Sequence, residues 1–309
     1  MYTIKTDQCP AAHTHSDTDI PIMDQSMQPI LYRPQGDLES LQELFDRVPR
    51  YLFRTSTRNS NGHTSSVRVK SAAAVNNRST KDVFERNVTS ARNMLKFHVL
   101  WKDYSDDNFT SWTSSIVFAL QHGIRKAIGG RYHSAEEPST IDIMILDTRK
   151  VPRGAFLPSM ALLKAYNLTK DPDIVDKLPY YYGEYLSQGV LDFTAGSTVA
   201  TTLAKLNELG LGGLYSPSTH KIQANHLWLA VNGVRTAIKN EQEREPTSEE
   251  LRLAQRIALG ITGSKNFLPV VMMLLLSTKP RYRLSPAILK AFEMNRWGEW
   301  YSCIWTNTS

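Results

Sequence analysis

The sequence predicts an α+β protein: a mixed-sheet core followed by a bundle of helices. Through residues 37–193, short apolar runs of strand character mix irregularly with segments of helical spacing, which does not suit the regular alternation of a doubly wound sheet. Ile141-Asp-Ile-Met-Ile-Leu-Asp147 has the continuous apolar character of a strand buried near a sheet centre. From about Ala195 onward the apolar residues fall only at three- and four-residue spacing, between Gly and Pro punctuation. These shifts divide the chain into a polar tail (1–30), a core domain (31–195) and a helical domain (196–309).

The elements follow in order. Leu38 to Phe45 has helical spacing after Gly36-Asp37 and is stopped by Pro49. Tyr51–Thr55 is a strand, and the polar stretch Thr57–Arg78 is expected to be a loop with little structure of its own. A helix is predicted from Ser79 to about Trp101, its apolar face carrying Val83, Val88, Met94, Leu95 and Val99. After the hydroxyl-rich strand Phe109-Thr-Ser-Trp-Thr-Ser-Ser115, Ile116 to Ile124 is helical and ends at Gly129-Gly130. Leu157–Tyr166 is a short helix, and Tyr180–Phe193 holds a strand with one acid, Glu184. The C-terminal helices are expected over Thr198–Leu209, Leu227–Arg244, Ser248–Leu259, Asn266–Ser277 and Ser285–Asn295, with Thr247 capping the third.

Composition narrows the function classes. The net charge of +6 is spread along the chain with no long basic run, which gives little support to nucleic-acid binding. Cys9 and Cys303 are the only cysteines, too few for a disulfide framework or a Cys/His metal cluster, so a reducing compartment is expected. His13 and His15 stand in the polar tail and are expected to be merely solvated. The first thirty residues lack the apolar segment of a secretory signal. The longest apolar run, Phe267–Leu276, is about half of what a bilayer crossing requires. A cytoplasmic location, or a nuclear one, is the expectation.

Three segments carry chemistry. Arg54 interrupts the apolar strand Tyr51-Leu-Phe-Arg-Thr, Ser111, Thr113 and Ser114 line the hydroxyl-rich strand, and Glu184 stands among Tyr182, Gly183 and Tyr185. An arginine fork grips a diphosphate or ribose. Hydroxyls orient a neighbouring carboxylate and a sugar hydroxyl. A partly buried glutamate favours the positive charge that develops at an anomeric carbon, so the set suits cleavage of a glycosidic bond. Taken singly, each is also an ordinary structural residue: a strand arginine that pairs with an acid, an edge strand of hydroxyls, half of an ion pair.

In their order, Arg54, Ser111-Trp-Thr113 and Glu184 resemble the Arg, Ser-x-Thr/Ser and Glu signature of the cholera-toxin-like ADP-ribosyltransferases. The same segments are similar to fungal proteins with a Phe-Arg, Ser-Trp-Thr-Ser-Ser and Gly-Glu-Tyr-Leu series. The likeness covers about residues 30–195 and implies an ADP-ribosyltransferase-like mixed-sheet core. It implies NAD as a substrate and no metal. Arg54 would contact the NAD phosphates or nicotinamide ribose and brace the site, Ser111 and Thr113 would support the pocket, and Glu184 would be the catalytic glutamate. Tyr182 stands where many arginine-modifying members carry Gln or Glu, which points the acceptor away from protein arginine.

The expected activity is transfer of ADP-ribose to a macromolecule, protein in preference to nucleic acid. NAD hydrolysis, or a binding module without turnover, stand as alternatives. Arg54, Ser111 and Glu184 are expected to line one cleft, with Ser114 close by. The nicotinamide wall is sought among Tyr182, Phe118, Trp112 and Tyr51, the first two preferred.

Overall fold

A computed structural model of the chain describes residues 29–78, 80–129, 134–214, 227–261, 267–278, 286–288 and 290. The strands along the chain are β1 (Tyr51–Thr57), β2 (His63–Thr64), β3 (Arg68–Lys70), β4 (Phe109–Thr113), β5 (Ile141–Asp147), β6 (Leu157–Pro158), β7 (Glu184–Gln188), β8 (Val190–Asp192) and β9 (Thr198–Thr202). The helices are α1 (Ala72–Val75), α2 (Val88–Val99), α3 (Ile116–Ile128), α4 (Ser159–Ala165), α5 (Leu203–Glu208), α6 (Leu227–Asn240), α7 (Ser248–Ile261) and α8 (Leu268–Leu276). Six strands form one antiparallel sheet in the order β6-β7-β4-β1-β5-β9, and β2-β3-β8 form a small second sheet. The protein is therefore α+β, as the irregular mixture of patterns predicts.

Strand alternation assigns the two faces of the main sheet. Phe53, Ile143, Ile145 and Val199 share one face, where they form a core with Ala119 and Leu120 of α3 and with residues of α5, α7 and α8. Farther along this face, Phe109, Leu186 and Leu157 pack against Met94, Leu95 and Val99 of α2 and against Leu162 and Leu163 of α4. Leu52, Trp112, Met144 and Leu146 point the other way, onto Val69 and Leu191 of the small sheet. Burial of these apolar side chains is what fixes the register, since a one-residue slip would turn each set toward the wrong layer.

Several expectations need correction. Residues 198–202 are strand β9, paired with β5 from Leu146↔Thr198 to Asp142↔Thr202, and only from Leu203 is the segment helical. Its β-branched Thr198, Val199, Thr201 and Thr202 suit a strand, and the outer edge of β5 offers unpaired backbone groups for it to satisfy. The main sheet thus draws a strand from beyond residue 195, and the helices that follow share a core with β1 and β5.

The predicted helix 79–101 is divided: Asp82 caps a 3-10 turn over Val83–Glu85, and Asn87 caps α2. Residues 57–78 contain β2, β3 and α1. Gly36–Arg47 is a 3-10 helix, and Leu157–Pro158 are strand before α4 begins. Thr247 caps α7 in a reciprocal pair, receiving Glu250 N–H at 3.1 Å while Thr247 N–H donates to Glu250 at 2.9 Å. The tail through residue 28, Cys303 and residues 285, 289 and 291–295 lie outside the described residues, while 286–288 and 290 are helical. No described helix is long and apolar enough to cross a membrane.

Candidate active site

Strands β4 and β7 lie side by side, with Ser111 opposite Leu186 and Thr113 opposite Glu184. Paired residues of an antiparallel ladder project to the same face, so Ser111, Thr113, Glu184 and Leu186 all face the α2 and α4 layer. Ser111 and Glu184 are diagonal neighbours, a separation that the long glutamate side chain can span. Gly183, at φ +83°, turns the chain into β7, and its carbonyl accepts from Ser114 N–H at 2.8 Å and from the Ser114 hydroxyl at 3.2 Å. The left-handed conformation favours glycine immediately before the glutamate, and a Cβ there would lie 2.8 Å from that hydroxyl and displace it.

The buried Glu184 Oε2 and the Ser159 hydroxyl at the start of α4 have no hydrogen bond of good geometry, yet Ser159 stands close enough, with Ser111, to favour the carboxylate. Burial drives the Glu184 carboxyl above its ordinary value, opposed in part by the charge of His98 and by the Ser111 and Ser159 hydroxyls beside it. Such an acceptor destabilises the fold until a donor or a cation reaches it.

The residue that sequence reasoning missed is His98, in the last turn of α2. Its Nδ1 lies 2.7 Å from Asp107 Oδ2 and its Nε2 lies 2.8 Å from Ser111 Oγ. The ring also meets Phe109 edge-on, with centroids 5.5 Å apart. Asp107 is fixed in turn, because its other oxygen accepts Phe109 N–H at 2.9 Å. Burial disfavours the imidazolium, but Asp107, by charge and by hydrogen bond, and then Glu184 outweigh it, and the His98 pKa is raised despite an opposing contribution from Arg54. In the imidazolium both ring nitrogens donate, one to Asp107 and one to Ser111. The Ser111 proton is then left to point toward Glu184, which gives the line Asp107, His98, Ser111, Glu184 a single direction.

Arg54 reaches the site from the other side. It is opposite Met144 on β5, and by alternation it leaves the sheet on the face of Leu52 and Met144, whereas Phe53 is the residue in line with Thr113 and hence with Glu184. The expected common cleft face for Arg54 and Glu184 is therefore not what the register gives. Arg54 Nη1 donates to the Ser111 carbonyl at 2.7 Å and Nε to the Thr64 hydroxyl at 3.0 Å, so the guanidinium ties the second sheet to the backbone of Ser111 from beneath. No carboxylate pairs with it among the described residues, and burial pushes its pKa down to about 10.

The remaining candidates separate into rim and core. Tyr182 is exposed beside Gly183, and Phe118 is half-buried in the first turn of α3, where Ser115 accepts its N–H at 3.3 Å. Thr113 turns its hydroxyl to Ser115 N–H at 3.1 Å, which closes the strand-to-helix turn. Trp112 is core: its Nε1 donates to Ser187 at 3.0 Å, and its ring meets Phe156 and Phe193 edge-on. Tyr51 packs against Phe267 of the helical layer. Neither Trp112 nor Tyr51 is placed to form a wall of this site.

A family model described as a domain of unknown function, DUF7587, matches residues 47–192, just under half of the chain. The match runs from the residues before β1 to the end of β8, so Arg54, His98, Asp107, Ser111 and Glu184 all fall inside it, while β9 and the C-terminal helices fall outside. No curated protein and no solved structure matches the chain.

Proposed function

We propose that this protein is an NAD-dependent mono-ADP-ribosyltransferase, with Glu184 as its catalytic carboxylate. The observation that carries this reading is the buried Glu184 oxygen without a hydrogen bond of good geometry, beside a serine whose hydroxyl lies 2.8 Å from the His98 ring. A desolvated carboxylate held in this way is preorganised for positive charge, and cleavage of a nicotinamide glycoside develops that charge at the ribose anomeric carbon.

In the proposed reaction the bond between the anomeric carbon and the nicotinamide nitrogen breaks, and its electron pair leaves with nicotinamide. Glu184 stabilises the oxocarbenium-like ribose, and the acceptor's nucleophile bonds to the anomeric carbon and gives up its proton. Ser111 fixes the carboxylate, and His98 with Asp107 fixes Ser111. Arg54 holds the Ser111 backbone from the opposite face of the sheet, a bracing role that does not bring it to the substrate's phosphates. Thr113 and Ser114 shape the turn above Glu184, and Tyr182 and Phe118 offer aromatic faces at the rim. When water replaces the acceptor, the same site is an NAD glycohydrolase. A module that binds NAD without turnover would keep the pocket and release nothing.

The order Asp107, His98, Ser111 is also that of an acyl-transfer triad. Two features weigh against a serine nucleophile. The acidic neighbour Glu184 supplies no fixed donor for an oxyanion, and Ser111 sits mid-strand, its backbone in the ladder opposite Leu186 and its carbonyl held by Arg54.

Incubating the purified protein with labelled NAD and a whole-cell lysate tests the proposal. Nicotinamide release together with label on protein or nucleic acid is expected, release without label identifies the glycohydrolase, and bound NAD with neither product identifies the binding module.

A further inference from the structure

Helix α2 ends in an unusual way. Trp101 N–H bonds the His98 carbonyl at 3.0 Å and Lys102 N–H bonds the Phe97 carbonyl at 3.0 Å, the paired closure in which the chain passes through a left-handed residue. That residue is normally glycine, because a Cβ strains this conformation. Here it is Trp101, at φ +55°. The ring does not repay the strain in the core, since Trp101 is 57% exposed. It stacks instead on His122 of α3, with centroids 5.5 Å apart and planes 29° apart, and His122 meets Phe118 edge-on at 6.2 Å.

A circuit of contacts links these rings to the candidate site. From Glu184 it runs to Ser111 and to His98, along the α2 terminus to Trp101, across to His122 and Phe118 on α3, and through Ser115 and Ser114 to Gly183 and back to Glu184. The floor of this ring is polar and the far lip is aromatic. A strained, exposed tryptophan backed by two further rings is a stacking surface, and a planar heteroaromatic base is the ligand whose faces it fits.

We propose that Trp101 is the stacking platform for a nucleobase, with His122 and Phe118 holding it in place. The inference rests on the nucleotide reading of the site and adds where a base lies. The base can come from a soluble nucleotide, as the adenine of a dinucleotide, or from a single-stranded nucleic acid, and both present the same face.

Binding of AMP and, separately, of a short single-stranded oligothymidylate is measured for the wild type, Trp101→Gly and Trp101→Phe, with a thermal melt of each. Trp101→Gly is expected to weaken binding by about 5- to 150-fold, the span of a lost base stack, while its Tm is unchanged or higher because glycine suits the left-handed position. Trp101→Phe keeps most of the affinity. Loss confined to AMP assigns the platform to a soluble nucleotide, and loss confined to the oligonucleotide assigns it to an acceptor strand. Unchanged affinity for both ligands in Trp101→Gly, or a wild type that binds neither, overturns the inference. Nicotinamide release from NAD by the wild type is read alongside: release with unchanged base binding in Trp101→Gly removes the platform and leaves the proposed activity, and the reverse pattern removes the activity and leaves the platform.

Discussion

Two carboxylates on packed parts of this fold, the buried Asp82 and the half-buried Glu184, are treated in opposite ways. Asp82, near the entry to α2, accepts from Gln188 Nε2 at 2.7 Å, Arg33 N–H at 2.8 Å and Phe84 N–H at 3.4 Å, while Gln188 Oε1 in turn receives Val83 N–H at 3.0 Å. Glu184 lies on the same strand as Gln188 and has an oxygen with no partner. Burial raises the pKa of both groups. The chain thus supplies Asp82 with donors, one of them Gln188 on the strand of Glu184, and leaves a Glu184 oxygen without one of good geometry. An open acceptor costs stability, and a fold retains such a cost where a ligand or a transition state offsets it.

Substitutions that exchange the roles of the two acids break this comparison most sharply. Glu184→Gln removes the charge and keeps the shape, so nicotinamide release should fall by about 10²-fold or more, with NAD affinity changed far less because the full anomeric charge arises only in the transition state. Asp82→Asn places an amide NH₂ or a neutral oxygen where several donors converge. It should cost about 1–3 kcal/mol in denaturant unfolding and leave activity per folded molecule intact. An inactive but stable Asp82→Asn would reverse the assignment.

The next effect sharpens the site itself. His98→Gln keeps a donor toward Ser111 but cannot carry charge, and turnover should fall by about tenfold. With the His98 pKa raised above its ordinary value, the wild type should lose turnover as pH rises through that raised pKa, because a neutral imidazole accepts the Ser111 proton that otherwise points to Glu184. The Gln variant should lack that alkaline limb, and an unchanged pH–rate profile would remove His98 from the line. The smallest effect belongs to the rim: Tyr182→Ala or Phe118→Ala should weaken NAD binding by a few-fold with Tm unchanged, and identical affinity in both would exclude them as walls.

The two regions also differ in how much of them the sequence discloses. Tyr51–Thr55, Ile141–Asp147 and the glutamate strand are legible because their apolar and β-branched residues leave no helical alternative. Residues 198–202 are not, since Val199, Leu203 and Leu206 also fall at helical spacing, and only the open edge of β5 decides for a strand. The short strands β2 and β3 exist because Val69 is buried against Leu52 and Trp112, a tertiary contact with no local signature. Within the site, Ser111 and Glu184 stand out as a hydroxyl and an acid in apolar strands.

His98 does not stand out, because a single histidine in Lys96-Phe-His-Val-Leu100 matters only after α2 docks over Ser111. Nor can the face of Arg54 be read in advance. It depends on whether Phe53 or Arg54 pairs with Thr113, and that one-residue choice is set by the whole core.

Whether Glu184 is held open for function is tested most directly by the melting temperature of the wild type and Glu184→Gln across about pH 4 to pH 7. A carboxyl whose folded pKa lies above its unfolded value near 4.5 lends stability that is fully present below that value and is lost as pH rises through the folded pKa. The two proteins should therefore melt together at the acid end, and the glutamine variant should become the more stable of the two toward neutral pH. A glutamine variant that melts below the wild type at neutral pH would show a carboxylate satisfied within the fold, and would contradict the account.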